Sequence, residues 1–220
     1  MSRIDAFSDV VFGFAITLLV VSLEVPKTFN ELRASLLGFV PFAICFTFLL
    51  LVWHGHYIFF RRYNLHDSAT IAINGGLLFV ILFYVYPLKF LWYLLFGGHN
   101  VMTTGEDLRL LMLVYGAGYS AIYISFSLLY WRAWSLRTEL DLNALELLET
   151  RASLVEHLFM AAIGILSCAA ALLLPAAQSG NAGSVYLLVV PLKFALGSHL
   201  GKKRRTLVWN DLSVGTRTPH

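Results

Sequence analysis

Apolar residues in this chain fall into six long runs, and polar residues gather almost wholly between them. The runs lie at about Phe7 to Val25, Leu36 to Phe60, Ala69 to Phe96, Leu108 to Tyr130, Ser153 to Leu174 and Ser184 to Leu200. About twenty apolar residues in helical form span the roughly 30 Å hydrocarbon layer of a bilayer. These runs are too long for barrel strands, so each predicts a membrane-spanning helix that satisfies its own backbone groups. Breakers stand where the helices should stop: Pro26, Arg61 and Arg62, Gly97 and Gly98, Pro175, and the basic run Lys202 to Arg205. The sixth run is the shortest and holds Lys193. The expected fold is all-α, a polytopic membrane protein with six transmembrane helices over residues 1–205. Residues 206–220 are expected to form a weakly structured cytoplasmic tail. The polar connection from Arg132 to Arg151 should continue the fourth or fifth helix into water, with Arg137 and Asp141 at ion-pair spacing.

Composition agrees with this pattern. Hydrophobic residues make up 58% of the 220 positions and charged residues only 13%. A soluble domain averages about 25% charged, so this chain cannot cover a water-facing surface. The first run follows Asp5 and Asp9 rather than a basic stretch, and it ends at Glu24-Val25-Pro26 without a small-residue cleavage site. It reads as a retained helix. Lysine and arginine set the orientation. With the N-terminus inside, eleven basic residues fall on inner segments, among them Arg3, Arg61, Arg62 and Lys202 to Arg205. Four fall outside: Lys27, Arg33, Lys89 and Arg109. Both termini are therefore expected in the cytoplasm. Cys45 and Cys168 lie within apolar runs and read as small buried hydrophobes, not as a disulfide or metal site.

The first run, opening as RIDAFSDVVFGFAITLL from Arg3 to Leu19, carries the most unusual pattern. Phe14, Thr17, Val21 and Glu24 follow a 3-4-3 spacing on one helical stripe, with Leu18 beside it. That spacing suits an ordinary packing face, with Thr17 bonding back to the carbonyl of Gly13. It equally suits the seam of helices gathered about a common axis. Asp9 lies about one turn inside the membrane boundary, where an ionised group normally faces a bundle interior or a water-filled cavity. Ser8 and Asp9 are also good helix caps. Alternatively, Arg3, Ser8 and Asp9 bind a neighbouring helix or subunit through charged hydrogen bonds. Candidate partners are Trp53, His54 and His56 on the second run and Asn74 on the third. His54 and His56 are two apart, so they do not share a helical face as a zinc pair would.

These residues resemble a known family. Arg3, Phe7, Ser8 and Asp9 match R-x-x-x-F-S-D, Ala15 to Leu19 follow as A-I-T-L-L, and Trp53 and His56 match W-x-x-H. The chain resembles the endolysosomal potassium channel family in its six-span, single-repeat bacterial form. The motifs cover the first three runs; the last three agree in hydropathy and length. The resemblance implies a homotetramer in the bacterial inner membrane, with the first helix of each subunit lining the pore. It implies passive flow of K+ and other monovalent cations, with no enzymatic activity, no cofactor and no nucleic-acid partner. Phe14 falls at the family's narrow hydrophobic constriction, Thr17 at a pore threonine, and Leu18 and Val21 at further apolar layers. Arg3, Phe7, Ser8, Asp9, Trp53, His56 and Asn74 fall on a polar network that holds the pore helices. Phe14 departs from the family's branched aliphatic residue. Four phenyl rings fill more space around an axis, which implies a tighter passage or a shifted gate.

On this reading, apolar rings at Phe14, Leu18 and Val21 gate by dewetting, and Thr17 hydroxyls replace part of the water around a passing K+. Glu24 at the outer mouth attracts cations, an effect screened by salt. The rival class is a proton- or ion-coupled secondary transporter, with Asp9, His56, Glu156, His157 and Lys193 as a relay. Inverted repeats and broken helices, usual in transporters, are not evident.

Overall fold

The computed structural model of the chain describes residues 3–21, 27–37, 39–96 and 104–215, and its regular elements are helical. In chain order they are α1 (Arg3–Val21), α2 (Phe29–Leu37), α3 (Phe39–Tyr63), α4 (Ser68–Phe96), α5 (Gly105–Ser135), α6 (Ala144–Leu173), a 3₁₀ segment (Ala176–Leu188) and α7 (Val189–Gly215). Among the described residues, five stretches are long and apolar enough to cross a membrane: Phe39–Tyr63, Ser68–Leu91, Gly105–Ser135, Ala144–Leu173 and Ala176–Thr206. The α1 helix is about 28 Å long at about 1.5 Å per residue. It carries Arg3, Asp5 and Asp9 in its first half and is not among the five.

The boundaries differ from the sequence expectation in informative ways. The short α2 lies almost wholly before the second run, overlapping it only at Leu36 and Leu37, and the long α3 carries the run to its end and on to Tyr63. The sixth run opens as 3₁₀ coil and becomes α-helical only at Val189. Thirteen residues is long for a 3₁₀ helix, whose hydrogen bonds are poorer. Side-chain bonds tie this segment down: Ser179 Oγ donates to the Gly105 carbonyl (3.1 Å), and Ser167 Oγ to that of Ala182 (3.0 Å). The chain after Thr206 continues α7 to Gly215. No glycine or proline interrupts residues 202–214, so nothing there breaks the helix.

The polar connection extends both helices it joins. Capping boxes start α5 at Thr104 with Asp107 and α6 at Asn143 with Glu146, satisfying two backbone N–H groups at α5 and three at α6. Arg137 lies over the Trp134 ring at 5.3 Å and donates to the Trp134 carbonyl. Asn64 turns the chain out of α3 at φ 47°, a left-handed conformation that asparagine tolerates. Helix α4 runs through Pro87 although that residue cannot donate to the ladder.

Helices α5 and α6 pack most extensively, because small residues let their backbones approach. A Cβ on Gly164 would lie 2.3 Å from Ser120 Oγ, and one on Gly116 2.6 Å from Cys168 Sγ. Gly118 admits the ring of Tyr84, joining α4 to α5. Against this core α1 lays Ser8, Phe12, Ala15 and Leu19, all buried at 4-3-4 spacing, onto α3 and α4.

Candidate pore face and its buried polar anchor

The two faces of α1 differ sharply. On the inner face a chain of hydrogen bonds crosses three helices. Asn74 Nδ2 of α4 donates to Ser8 Oγ of α1 at 3.0 Å. Asn74 Oδ1 faces His56 Nε2 of α3 at 2.9 Å. Because the amide nitrogen is used on Ser8, the amide oxygen must accept, which assigns the proton to His56 Nε2. Ser8, His56 and Asn74 are 0%, 2% and 3% exposed. Beside them Trp53 Nε1 donates to Asp9 Oδ1 at 2.8 Å. Phe12 meets the His56 ring edge-on at 5.5 Å, and Phe60 lies 4.5 Å from it.

The structure thus joins Ser8, Asp9, Trp53, His56 and Asn74 around one helix crossing. Arg3 and Phe7 stand apart from them. Both are exposed, Phe7 at 62%, and Arg3 makes no hydrogen bond or ion pair among the described residues. The reason is geometric: 3, 7, 10, 14 and 17 share a face about half a turn from 8, 12, 15 and 19.

That open face carries Phe7, Val10, Gly13, Phe14 and Thr17. Phe14 is 56% exposed. Thr17 is exposed, and its hydroxyl donates to the Gly13 carbonyl at 2.8 Å. With the proton turned to its own backbone, the oxygen keeps its lone pairs for an outside donor or cation. Leu18 is half-buried and packs against the core. The Val21 side chain and Glu24 lie outside the described residues. Exposed His54 takes no part in the polar chain, and no group of three potential metal ligands occurs among the described residues.

The polar residues considered as a relay separate into two groups. Asp9 and His56 belong to the α1 anchor. Glu156 and Lys193 pair at 2.7 Å between α6 and α7, and His157 sits beneath the rings of Tyr123, Phe126 and Tyr130. The first group lies on α1 and α3, the second on α6 and α7. Three further ties were not anticipated from the sequence: Arg62 with Glu149 at 2.7 Å, Tyr63 with Thr150 at 2.7 Å, and Arg132 with Asp67 at 3.0 Å. Lysine 193 and Glu156 carried a signal, since a charge in a span needs a partner. The two ion pairs lie at helix ends, where a charge has water as an alternative, and Tyr63 and Thr150 are uncharged, so none of these residues announces a partner.

An all-helical membrane protein with a buried polar anchor and an exposed, mixed apolar-hydroxyl face on its first described helix is the class that this fold defines. Residues 3–84, which hold α1, α3 and most of α4, match the family model of the endosomal/lysosomal potassium channel TMEM175. The chain is 42% identical over 223 residues to a potassium channel of Marivirga tractuosa, covering 94% of this chain and 90% of that one. Its fold is similar to the solved potassium channel MtTMEM175, a threonine-to-alanine variant bound to a nanobody fusion, with TM-score 0.79 and 40% identity over 92% and 94% of the two chains. It is also similar to a lysosomal potassium-selective channel TMEM175 homologue from Chamaesiphon minutus, with TM-score 0.60 and 25% identity over 88% and 96%. The chain belongs to the TMEM175 potassium channel family.

Proposed function

We propose that this chain is one subunit of a homotetrameric channel that passes K+ down its gradient, with four copies of α1 around the conducting axis. The carrying observation is the open face of α1, where Phe7, Val10, Phe14 and Thr17 repeat at 3-4-3 spacing and stand exposed, uncovered by any other helix among the described residues. Such spacing is that of helices sharing an axis. Exposed apolar faces occur elsewhere, but Phe79, Phe83 and Phe90 on α4 suit lipid tails, whereas the α1 face interrupts its apolar rings with Gly13 and Thr17.

On this reading Phe14 forms the narrow apolar ring, and Leu18 and Val21 form flanking layers that can gate by dewetting. The Thr17 oxygens, freed by their bond to Gly13, take over part of the hydration of a passing cation. Glu24 stands at the outer mouth. The Ser8–Asn74–His56 chain and the Trp53–Asp9 bond hold α1 at the depth and rotation this requires, with Arg3 positioned for a neighbouring subunit. Both termini face the cytoplasm of a bacterial inner membrane. A coupled transporter would need a continuous relay, and the two-part distribution of its candidate residues supports the channel instead.

The test is the reversal potential of purified protein in a planar bilayer under opposed K+ and Na+ gradients. Wild-type protein should favour K+, and Thr17→Ala should shift the potential towards the Na+ value. An unchanged potential removes Thr17 from selectivity.

A further inference from the structure

A crevice of about 750 Å³ opens between α3, α5, α6 and α7. Its size falls in the range of ligand pockets, roughly 300–1,000 Å³. No described residue of α1 or α4 lines it, so it is separate from the open face of α1. One wall runs along α3 from Phe48 to Arg62. That is about 21 Å at about 1.5 Å per residue, more than the depth of one leaflet at roughly half of 30 Å. Leu51 and Val190 flank the mouth and are 64% and 75% exposed. A lipid-facing entry with an apolar, tyrosine-lined interior results.

One end of the crevice is charged asymmetrically. Arg62 Nη2 lies 2.7 Å from Glu149 Oε2, and Arg204 Nε lies 3.6 Å from Glu149 Oε1. Two guanidinium groups thus share one carboxylate, which leaves an excess positive charge. Lys203 and Arg205 stand exposed beside them. Deeper in, Glu156 neutralises Lys193.

We propose that this crevice binds one anionic phospholipid per subunit, an acyl chain lying along α3 and α7 and the phosphate seated on Arg62 and Arg204. Guanidinium forks match phosphate oxygens in charge and geometry. Basic clusters at the end of a membrane helix attract anionic headgroups. The apolar wall holds the chain by the contacts it would otherwise make with neighbouring lipid. The proposal requires only that the protein reside in a membrane and is independent of the pore reading.

Native mass spectrometry of the delipidated full-length protein tests it, with phosphatidylglycerol and phosphatidylcholine of matched acyl chains added in turn. Wild-type protein should bind one phosphatidylglycerol per subunit, about tenfold more tightly than phosphatidylcholine. The exposed substitution Arg204→Gln should erase most of that preference, and Val190→Trp should weaken both lipids by obstructing the mouth. Melting curves in detergent identify any variant that fails to fold, and Arg204→Lys, which keeps the charge, should then retain part of the preference. Equal binding of the two lipids by wild type, a preference that survives Arg204→Gln, or unchanged affinity for both lipids in Val190→Trp would overturn the proposal. Efficient disulfide cross-linking of Val190→Cys to a neighbouring subunit would overturn it too, by giving the crevice a protein occupant.

Discussion

Asn74 is the joint through which α4 holds α1 and α3, and replacing it with leucine isolates its contribution. Leucine is similar in size, so the main effect is chemical. The change strips one partner from Ser8 Oγ and one from His56 Nε2, both buried. A buried polar group left without its partner costs about 1–3 kcal/mol, so the two together cost about 2–6 kcal/mol. For a chain of this length each kcal/mol moves the melting temperature by about 2–4 °C. Asn74→Leu should therefore lower it by at least about 4 °C, read by fluorescence-detected unfolding in detergent. Ser8→Ala and the double variant complete the cycle. Once Asn74 is gone, Ser8→Ala should cost less than it does in wild type, a coupling of about 1 kcal/mol or more. A melting temperature within about 1 °C of wild type, or strictly additive effects, would refute the hydrogen-bonded chain as the anchor of α1.

Other perturbations probe separate parts of the structure. Trp53→Phe keeps an aromatic ring, though a smaller one, and removes the indole N–H from Asp9; it should destabilise by about 1.5–3 kcal/mol, the range for a hydrogen bond to a charged group, read by the same melts. Gly164→Ala forces a methyl group against Ser120 Oγ and the Gly116 carbonyl and should cost about 1–3 kcal/mol by parting α5 from α6, while Gly180→Ala, with nothing within 4 Å of its new atom, should be near neutral. Asp67 joins the start of α4 to Arg132 at the end of α5. Burial pushes its carboxyl up, but the Thr70 hydroxyl and the Arg132 guanidinium together hold it below the ordinary value. Its stabilisation is thus present above the ordinary carboxylate range near about 3.9 and is lost as pH falls through the lower folded value. Arg132→Gln should flatten the acid side of a plot of melting temperature against pH between about 2 and 5; a slope equal to that of wild type would contradict the pairing. Phe14→Ala should raise single-channel conductance, and unchanged conductance would move Phe14 off the conducting path.

Spans were legible because a bilayer demands about twenty apolar residues, and that demand is written in the sequence whatever the tertiary partners. Helix α4 was anticipated to within one residue at its start. The 3₁₀ segment was not, since Ser179, Gly180, Gly183 and Ser184 carry no helical period and its form depends on bonds to α5 and α6. The polar anchor was legible as a set of residue types but not as a set of pairs. Spacing alone could not choose between His54 and His56, nor give Asp9 to Trp53 and Ser8 to Asn74, because those choices depend on the rotation of three helices about their axes. The charge at Lys193 announced a need for a partner, while the identity of Glu156, 37 residues earlier, appears only once α6 and α7 lie side by side.

Cysteine accessibility along α1 tests most directly whether its open face surrounds the ion path. In a background with Cys45 and Cys168 changed to alanine, single cysteines are placed at Phe14 and Thr17 on the open face and at Ala15 on the buried one. A water-soluble, thiol-reactive cation applied during bilayer recording should block current through Phe14→Cys and Thr17→Cys and spare Ala15→Cys. Unblocked current through both open-face variants would contradict the account.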